Sequence, residues 1–349
     1  MTRYVPILRW KQGERTALNH LAAATRNGVA PHVVLTQAQF TGSSKKSSND
    51  TPPKKAPLSA AEHFAKQVFD AWGKSLFFLD AADLVGDATK HDLDEIRKAA
   101  KKLGLYLVPS ARYSAPKEYR DAIRRAVKQD GLGLALRLTL SDMTSASTWI
   151  SSWPFPVSET DLIIDMGASV ASVLALGSSI LVAFQALTNG AEWRSITMTG
   201  GNIPATLTGY VVGRTMLLRP EFALWSKLVA APLPYSLDFG DYATIGPEAS
   251  TEDIGGPVPI NAKYTIKPDF VVYHGVKEKG PVGKPRDQQY RAYAKDITSK
   301  LTNRLPLVHC WGDQMIDAIA NSAPTAGSPT SWVSYSINRH IEITRTQLP

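Results

Sequence analysis

A chain of 349 residues with 44% hydrophobic content is long enough to bury a large core and too apolar to be disordered throughout. Its net charge of +8 leaves anionic partners open, but the basic residues are spread along the chain rather than gathered in an arm, so nucleic acid is allowed without being indicated. The single cysteine, Cys310, excludes an intrachain disulfide, supplies no zinc ligand set and fits a reducing cytoplasm.

No basic stretch leads into an apolar one at the start, so a cleaved secretory signal is not expected. Instead "YVPILRWKQGERTAL" begins like a strand and ends like a helix, with Lys11, Gln12, Gly13 and Glu14 at the junction. Further apolar runs bounded by turn signals follow at His32 to Thr36, Ser75 to Asp80, Leu105 to Pro109, Leu134 to Leu140, Asp161 to Asp165, Arg194 to Thr199 and Tyr235 to Asp238. With Tyr4 to Trp10 these make eight candidate strands.

Segments of helical period lie between most of them. "SAAEHFAKQVFDAWG" opens on Ser59 as an N-cap and stops at Gly73, "TKHDLDEIRKAAKKLG" stops at Gly104, and "APKEYRDAIRRAVKQDG" carries Pro116 in its first turn and Gly131 after its last. Regular alternation of strand and helix predicts a parallel sheet, and eight such units predict closure into a (β/α)8 TIM-like barrel with strands over about 4–242. Residues 40–58, rich in Ser, Lys and Pro, read as a mobile insertion after the second strand.

"ASVASVLALGSSILVAFQALT" at 168–188 is long enough to span a bilayer, but its serines, Gln185 and the flanking Asp165 and Glu192 argue for a helix buried against the sheet, and no membrane role is expected. After the eighth strand, residues 243–349 read as a closing helix and cap within the same single domain. "AKYTIKPDFVVYHG" suggests a hairpin, "RDQQYRAYAKDITSKL" and "DQMIDAIANSA" suggest helices, one of which would close the barrel, and "WVSYSINRHIEITRT" alternates like a strand.

In such a barrel the residues that end the strands surround the ligand site. They include Lys11, Glu14, Asp80, Asp83, Arg112, Arg137, Asp165, Asp238 and Asp241. Arg137 inside "LALRLTL" needs a partner, and Asp80 and Asp165 are the natural ones, whether as an internal network or as a site. The carboxylates Glu14, Asp80, Asp165 and Asp238 suit an acid and base pair or Mg²⁺, whereas Lys11, Arg112 and Arg137 suit an anion. Gly200, Gly201 and Asn202 in "MTGGNIP" offer either an ordinary turn or a backbone grip for an oxyanion.

His32, His274, His309 and His340 lack metal-ligand spacing and read as structural. There is no G-x-S-x-G elbow, Walker loop or H-E-x-x-H.

Taken in order, "YVPILRWKQGERTALNHL", "FFLDAAD", "LALRLT", "DLIIDMGA", "DFGDY", "KYTIKPDFVVYHG" with "QQYRAYAKDI", and "GSPTSWVSYSINRHIEIT" resemble the phage-related beta protein family of phages, satellite phages and bacterial defence islands. The resemblance implies a role in phage and host conflict, alongside partner-gene products or phage components, without bringing an established reaction. It adds Tyr264, Gln288, Tyr290, Trp332, Asn338 and His340 as recurrent polar or aromatic positions. This chain departs from the family at Ser328, where members often carry Asn, and at Arg339, where they often carry a first histidine. Two functions follow as expectations: a hydrolase or phosphodiesterase-like enzyme acting on a nucleotide or nucleic acid, or a non-catalytic module that binds a phage component or partner protein.

Overall fold

The computed structural model describes residues 1–41, 58–86, 90–145, 148, 150, 153–187, 192–248, 259–267, 269–301 and 310–349. Most of the expected insertion at 40–58, and His309, lie outside the described residues.

All eight predicted strands form, and they close into one parallel ring. In chain order these are β1 (Tyr4–Leu8), β2 (His32–Val34), β3 (Phe77–Asp80), β4 (Leu107–Arg112), β5 (Leu134–Thr139), β6 (Thr160–Asp165), β7 (Ser195–Thr199) and β9 (Leu237–Asp241), and the circle is completed by β9 pairing with β1. The strands read as apolar runs because both their faces are covered. Inward, Val5, Ala30, Phe78, Val108, Ala135 and Ile163 fill the barrel, while Tyr4, Leu8, Leu79, Leu136, Ile164, Met198 and Phe239 face the helices.

The outer helices begin and end where their punctuation says. Helix α1 (Gln12–Asn19) follows β1; α2 (Ala60–Trp72) starts at Ser59, whose hydroxyl accepts from Glu62 N while the Glu62 carboxylate accepts from Ser59 N. Helices α3 (Leu93–Lys102) and α4 (Lys117–Asp130) follow, the latter stopped by Gly131 at φ 64°, a left-handed conformation that glycine adopts without strain. The apolar segment at 168–188 differs from expectation. It is two helices, α5 (Val170–Ala175) and α6 (Ser178–Ala186), turned through 119° at Gly177. Val170, Val173, Ile180 and Phe184 are buried while Leu176 and Val182 are exposed, so only one side of the pair packs on the barrel. Among the described residues no single helix is long and apolar enough to cross a membrane.

Helix α7 (Pro220–Val229) leads into β9. Beyond the barrel, β10 (Asn261–Thr265) and β11 (Asp269–His274) form the expected hairpin, joined by β8 (Gly213–Leu218) into a three-stranded antiparallel sheet. The sequence reading does not single out β8, whose apolar run is only Met216, Leu217 and Leu218; it is an edge strand, with Met216 and Leu218 exposed. Helices α8 (Arg286–Asp296) and α9 (Trp311–Ala320) cover this sheet, with Tyr264, Tyr273, Tyr290, Ile316 and Trp332 in their common core.

The last segment corrects the sequence reading. "WVSYSINRHIEITRT" is not a strand but most of α10 (Pro329–Gln347), capped by Ser328, whose hydroxyl accepts from Ser331 N at 3.2 Å, with Pro329 in its first turn. Val333, Ile337, Ile341, Ile343 and Thr344 give it β-branched character, and burial of nearly every residue from Trp332 to Arg345 erases the amphipathic stripe by which a surface helix is recognised. It is α10, rather than α8 or α9, that seals the ring: Asn338 Nδ2 donates to Ala17 O of α1 at 3.2 Å, and Val333 packs on Gly13.

Candidate functional site at the barrel mouth

Alternation along the strands sends the side chains that end β3 to β6 into the mouth. Arg112 of β4 and Arg137 of β5 are register partners, as are Thr139 of β5 and Asp165 of β6. Arg137 is therefore met by both partners expected of it. Its Nε and Nη2 donate to Asp165 Oδ2 at 2.9 and 2.6 Å, its Nη2 also donates to the Tyr242 hydroxyl at 2.7 Å, and its Nη1 lies 3.7 Å from Asp80. Tyr242, just past β9, donates in turn to Asp165 Oδ2 at 2.6 Å. Burial alone would lower the Arg137 pKa, but Asp165, Tyr242 and Asp80 hold it above the ordinary arginine value.

Arg112 stands beside it and is more open. Its Nε donates to Asp80 Oδ2 at 2.9 Å and its Nη2 lies 3.6 Å from Asp83, while its side chain keeps 39% of its surface. The carboxylates are fixed from behind: Asp80 accepts from Ala82 N at 3.1 Å and Asp165 from Gly167 N at 2.9 Å. What results is a pair of guanidinium groups held by a rigid acidic frame.

The floor of the mouth is polar and incompletely paired. His32 is fully buried, with Nε2 2.8 Å from Ser110 Oγ, and burial followed by the nearby Arg137 pushes its pKa down to about 3. His32 Nδ1 and the buried hydroxyls of Thr197 and Thr199 have no hydrogen-bond partner among the described residues, as expected of groups that bind water or ligand atoms.

The junction after β1 is a turn that feeds this rim. Glu14 is buried and spends its carboxylate on the backbone, accepting from Arg9 N at 2.9 Å and Lys11 N at 2.6 Å, and burial raises its pKa. These bonds hold Trp10 at φ 56° and leave Lys11 half-buried at the start of α1. Arg9, which the sequence reading passed over, donates from Nη2 to Gly246 O and Pro247 O at 3.0 and 2.8 Å and so braces the loop after β9.

Other expected residues are placed elsewhere. Asp238 lies at the opposite end of the barrel, where it accepts from Arg3 N and Nε at 2.8 and 3.1 Å; it sits near the beginning of β9, and the residue that ends that strand is Asp241. Gly201 N donates to Gly167 O at 3.0 Å and is thus occupied, and Gly200 allows close packing on Val170 and Met166. Asn202 Nδ2 donates to Leu218 O at 3.3 Å, so this segment is a packed turn that joins β7 to β8.

The positions added by family resemblance belong to the C-terminal layer. Tyr264 donates to Asp313 Oδ1 at 2.8 Å, Trp332 stacks on Tyr290 at 4.7 Å between ring centroids, and Asn338 Oδ1 accepts from Gly312 N at 2.9 Å. Gln288 is exposed, and the buried glutamine is its neighbour Gln289, which bonds Val276 N, Val276 O and Lys284 O. His340 lies outside the barrel wall, against Asp241. Among the described residues no three His, Cys, Asp or Glu side chains converge as metal ligands, and Asp80 and Asp165 are already engaged by the arginines.

No curated protein matches the chain. The family model described as Beta protein, in contrast, matches residues 4–344, which runs from β1 almost to the end of α10. A closed eight-stranded barrel with the Arg112 and Arg137 pair at its mouth is thus the fold of a chain that belongs to the Beta protein family.

Proposed function

We propose that the protein recognises an anionic ligand at the barrel mouth and does so in the conflict between phage and host. The observation that carries the reading is the pair Arg112 and Arg137, adjacent in register, with one guanidinium saturated and rigid and the other partly open. Such a pair is preorganised for phosphate or carboxylate oxygens, because its geometry is set before the ligand arrives. The unpartnered His32 Nδ1 and the Thr197 and Thr199 hydroxyls beneath it supply further polar contacts. The link to phage conflict rests on the family resemblance.

Recognition is favoured over turnover because Asp80 and Asp165 are bound to arginines and backbone amides rather than held ready for proton transfer. Phosphodiester hydrolysis remains the second reading, since both carboxylates approach Arg137.

Calorimetric titration with pyrophosphate, nucleoside triphosphates and short oligonucleotides tests the reading, comparing wild type with Arg112→Gln. Binding by one class, weakened at least tenfold in the variant, is the expected result. No binding by any class, or binding indifferent to Arg112, would overturn it. Turnover of a bound class with or without Mg²⁺ would favour the second reading.

A further inference from the structure

A cavity lies apart from the mouth, between the barrel rim and the C-terminal layer. It is a cleft of about 340 Å³, within the size range of small-ligand sites, walled by Pro204, Leu207, Ile245, Pro259, Trp332 and Val333. Asn261 and Ser336 also line it, and two further polar groups stand out. Lys263 of β10 donates from Nζ to Thr244 O at 2.7 Å, a neutral acceptor, and among the described residues no carboxylate lies in ion-pair range of it. Tyr290 is fully buried along the cleft, and its hydroxyl has no hydrogen-bond partner among the described residues.

Among the described residues, an ammonium met by one carbonyl and no counter-charge, with a buried hydroxyl close by that has no partner, costs free energy unless something binds it. Burial, followed by repulsion from Arg9, pushes the Lys263 pKa down to about 8, and an anion seated there would offset both effects. The prolines and the Trp332 edge suit a flat ring, and a phosphate suits the amine. We propose that this cleft is a binding site for a nucleoside monophosphate, with its base among Pro204, Pro259 and Trp332 and its phosphate on Lys263.

The site is separate from the mouth. The loop from Tyr242 to Pro247 divides them, with Tyr242 turned to Arg137 and Thr244 to Lys263. The two proposals therefore fail independently.

Calorimetric titration of the full chain with AMP, GMP, CMP and UMP, each beside its uncharged nucleoside, provides the test. The expected result is that at least one monophosphate binds tenfold or more tightly than its nucleoside, that Lys263→Met removes this difference, and that Arg112→Gln leaves it intact. Ala205 is exposed at the edge of the cleft, so Ala205→Trp fills it without removing a buried side chain and should abolish binding at unchanged folded yield, which covers the case in which Lys263→Met fails to fold. Equal binding of monophosphate and nucleoside, loss of binding in Arg112→Gln alone, full binding in Ala205→Trp, or no binding by any monophosphate would overturn the proposal.

Discussion

His340 Nε2 of α10 lies 2.7 Å from Asp241 Oδ2 of β9, which ties the helix that seals the ring to the strand that closes the barrel. Tyr4 donates to the other Asp241 oxygen at 2.6 Å, Arg219 lies 3.6 Å away, and all four residues are buried. Burial works against charge on Asp241, yet His340, Arg219 and Tyr4 together hold its pKa below the usual carboxylate range. Asp241→Asn keeps one carbonyl acceptor but removes the charge that faces Arg219 and puts an NH2 donor in place of one of the oxygens that serve Tyr4 and His340, so it should cost about 3–5 kcal/mol. Urea denaturation of Asp241→Asn, His340→Gln and the double variant checks this. Additive losses would show that the two side chains do not act together.

Acid sensitivity should follow His32. Its folded pKa of about 3 lies well below the ~6.5 of a free histidine, so under mildly acidic conditions the unfolded chain takes up a proton that the folded chain refuses. Stability is therefore lost as pH falls from roughly 6.5 towards 3, at no more than about 1.4 kcal/mol per pH unit from this group. In denaturant curves at pH 7 and pH 5, His32→Gln should lose less stability than wild type over that interval. Parallel losses would mean that His32 does not titrate in this way.

The two mouth arginines should separate structure from function. Arg137 is nearly enclosed and binds Asp165 and Tyr242, so Arg137→Gln should destabilise the fold by roughly 3 kcal/mol by leaving Asp165 short of its cation. Arg112 is partly exposed, and Asp80 keeps Ala82 N and the neighbouring Arg137 without it, so Arg112→Gln should cost only about 1 kcal/mol. Thermal melts of both variants decide the point. A larger loss for Arg112→Gln than for Arg137→Gln would reverse the assignment.

The crossing of α9 and α10 depends on Gly312. A Cβ there would stand 2.4 Å from Tyr335 O, a backbone atom that cannot move aside alone, so Gly312→Ala should cost roughly 1–3 kcal/mol. At Gly131 a Cβ meets nothing within 4 Å, and Gly131→Ala carries only the left-handed backbone cost of about 1 kcal/mol. Melting temperatures should fall further for Gly312→Ala. The opposite order would place the constraint in the backbone conformation instead.

The sequence made the barrel legible because each of its strands is an apolar run closed by a turn signal. "LALRLT" and "DLIID" also carry the Arg137 and Asp165 pair in readable form. What was hidden follows from where residues face. Asp238 lies at the far end of the barrel because it is near the beginning of β9, and the sheet period of two turns Asp241 outward, distinctions that depend on strand bounds and register to the residue. Arg9 was missed because it looks like the end of a strand, and its role in bracing Gly246 and Pro247 is contact between segments distant in sequence. Helix α10 was mistaken because burial on all sides leaves no polar stripe. Lys263 gave no signal at all in "NAKYT", since only the meeting of β10 with the loop after β9 makes it a buried amine.

The seal formed by α10 also imposes an order on synthesis. The faces of α1 at Gly13 and Ala17 are made early, but the residues that cover them, Val333 and Asn338, emerge more than three hundred positions later. A nascent chain on the ribosome can stack its successive βα units while the seam between β9 and β1 still lacks its outer cover. For that interval the partly built barrel displays apolar surface beside an open edge, the kind of surface that chaperones bind and that pairs wrongly with neighbouring chains. Premature termination before α10 should therefore yield an aggregating product rather than a smaller stable barrel.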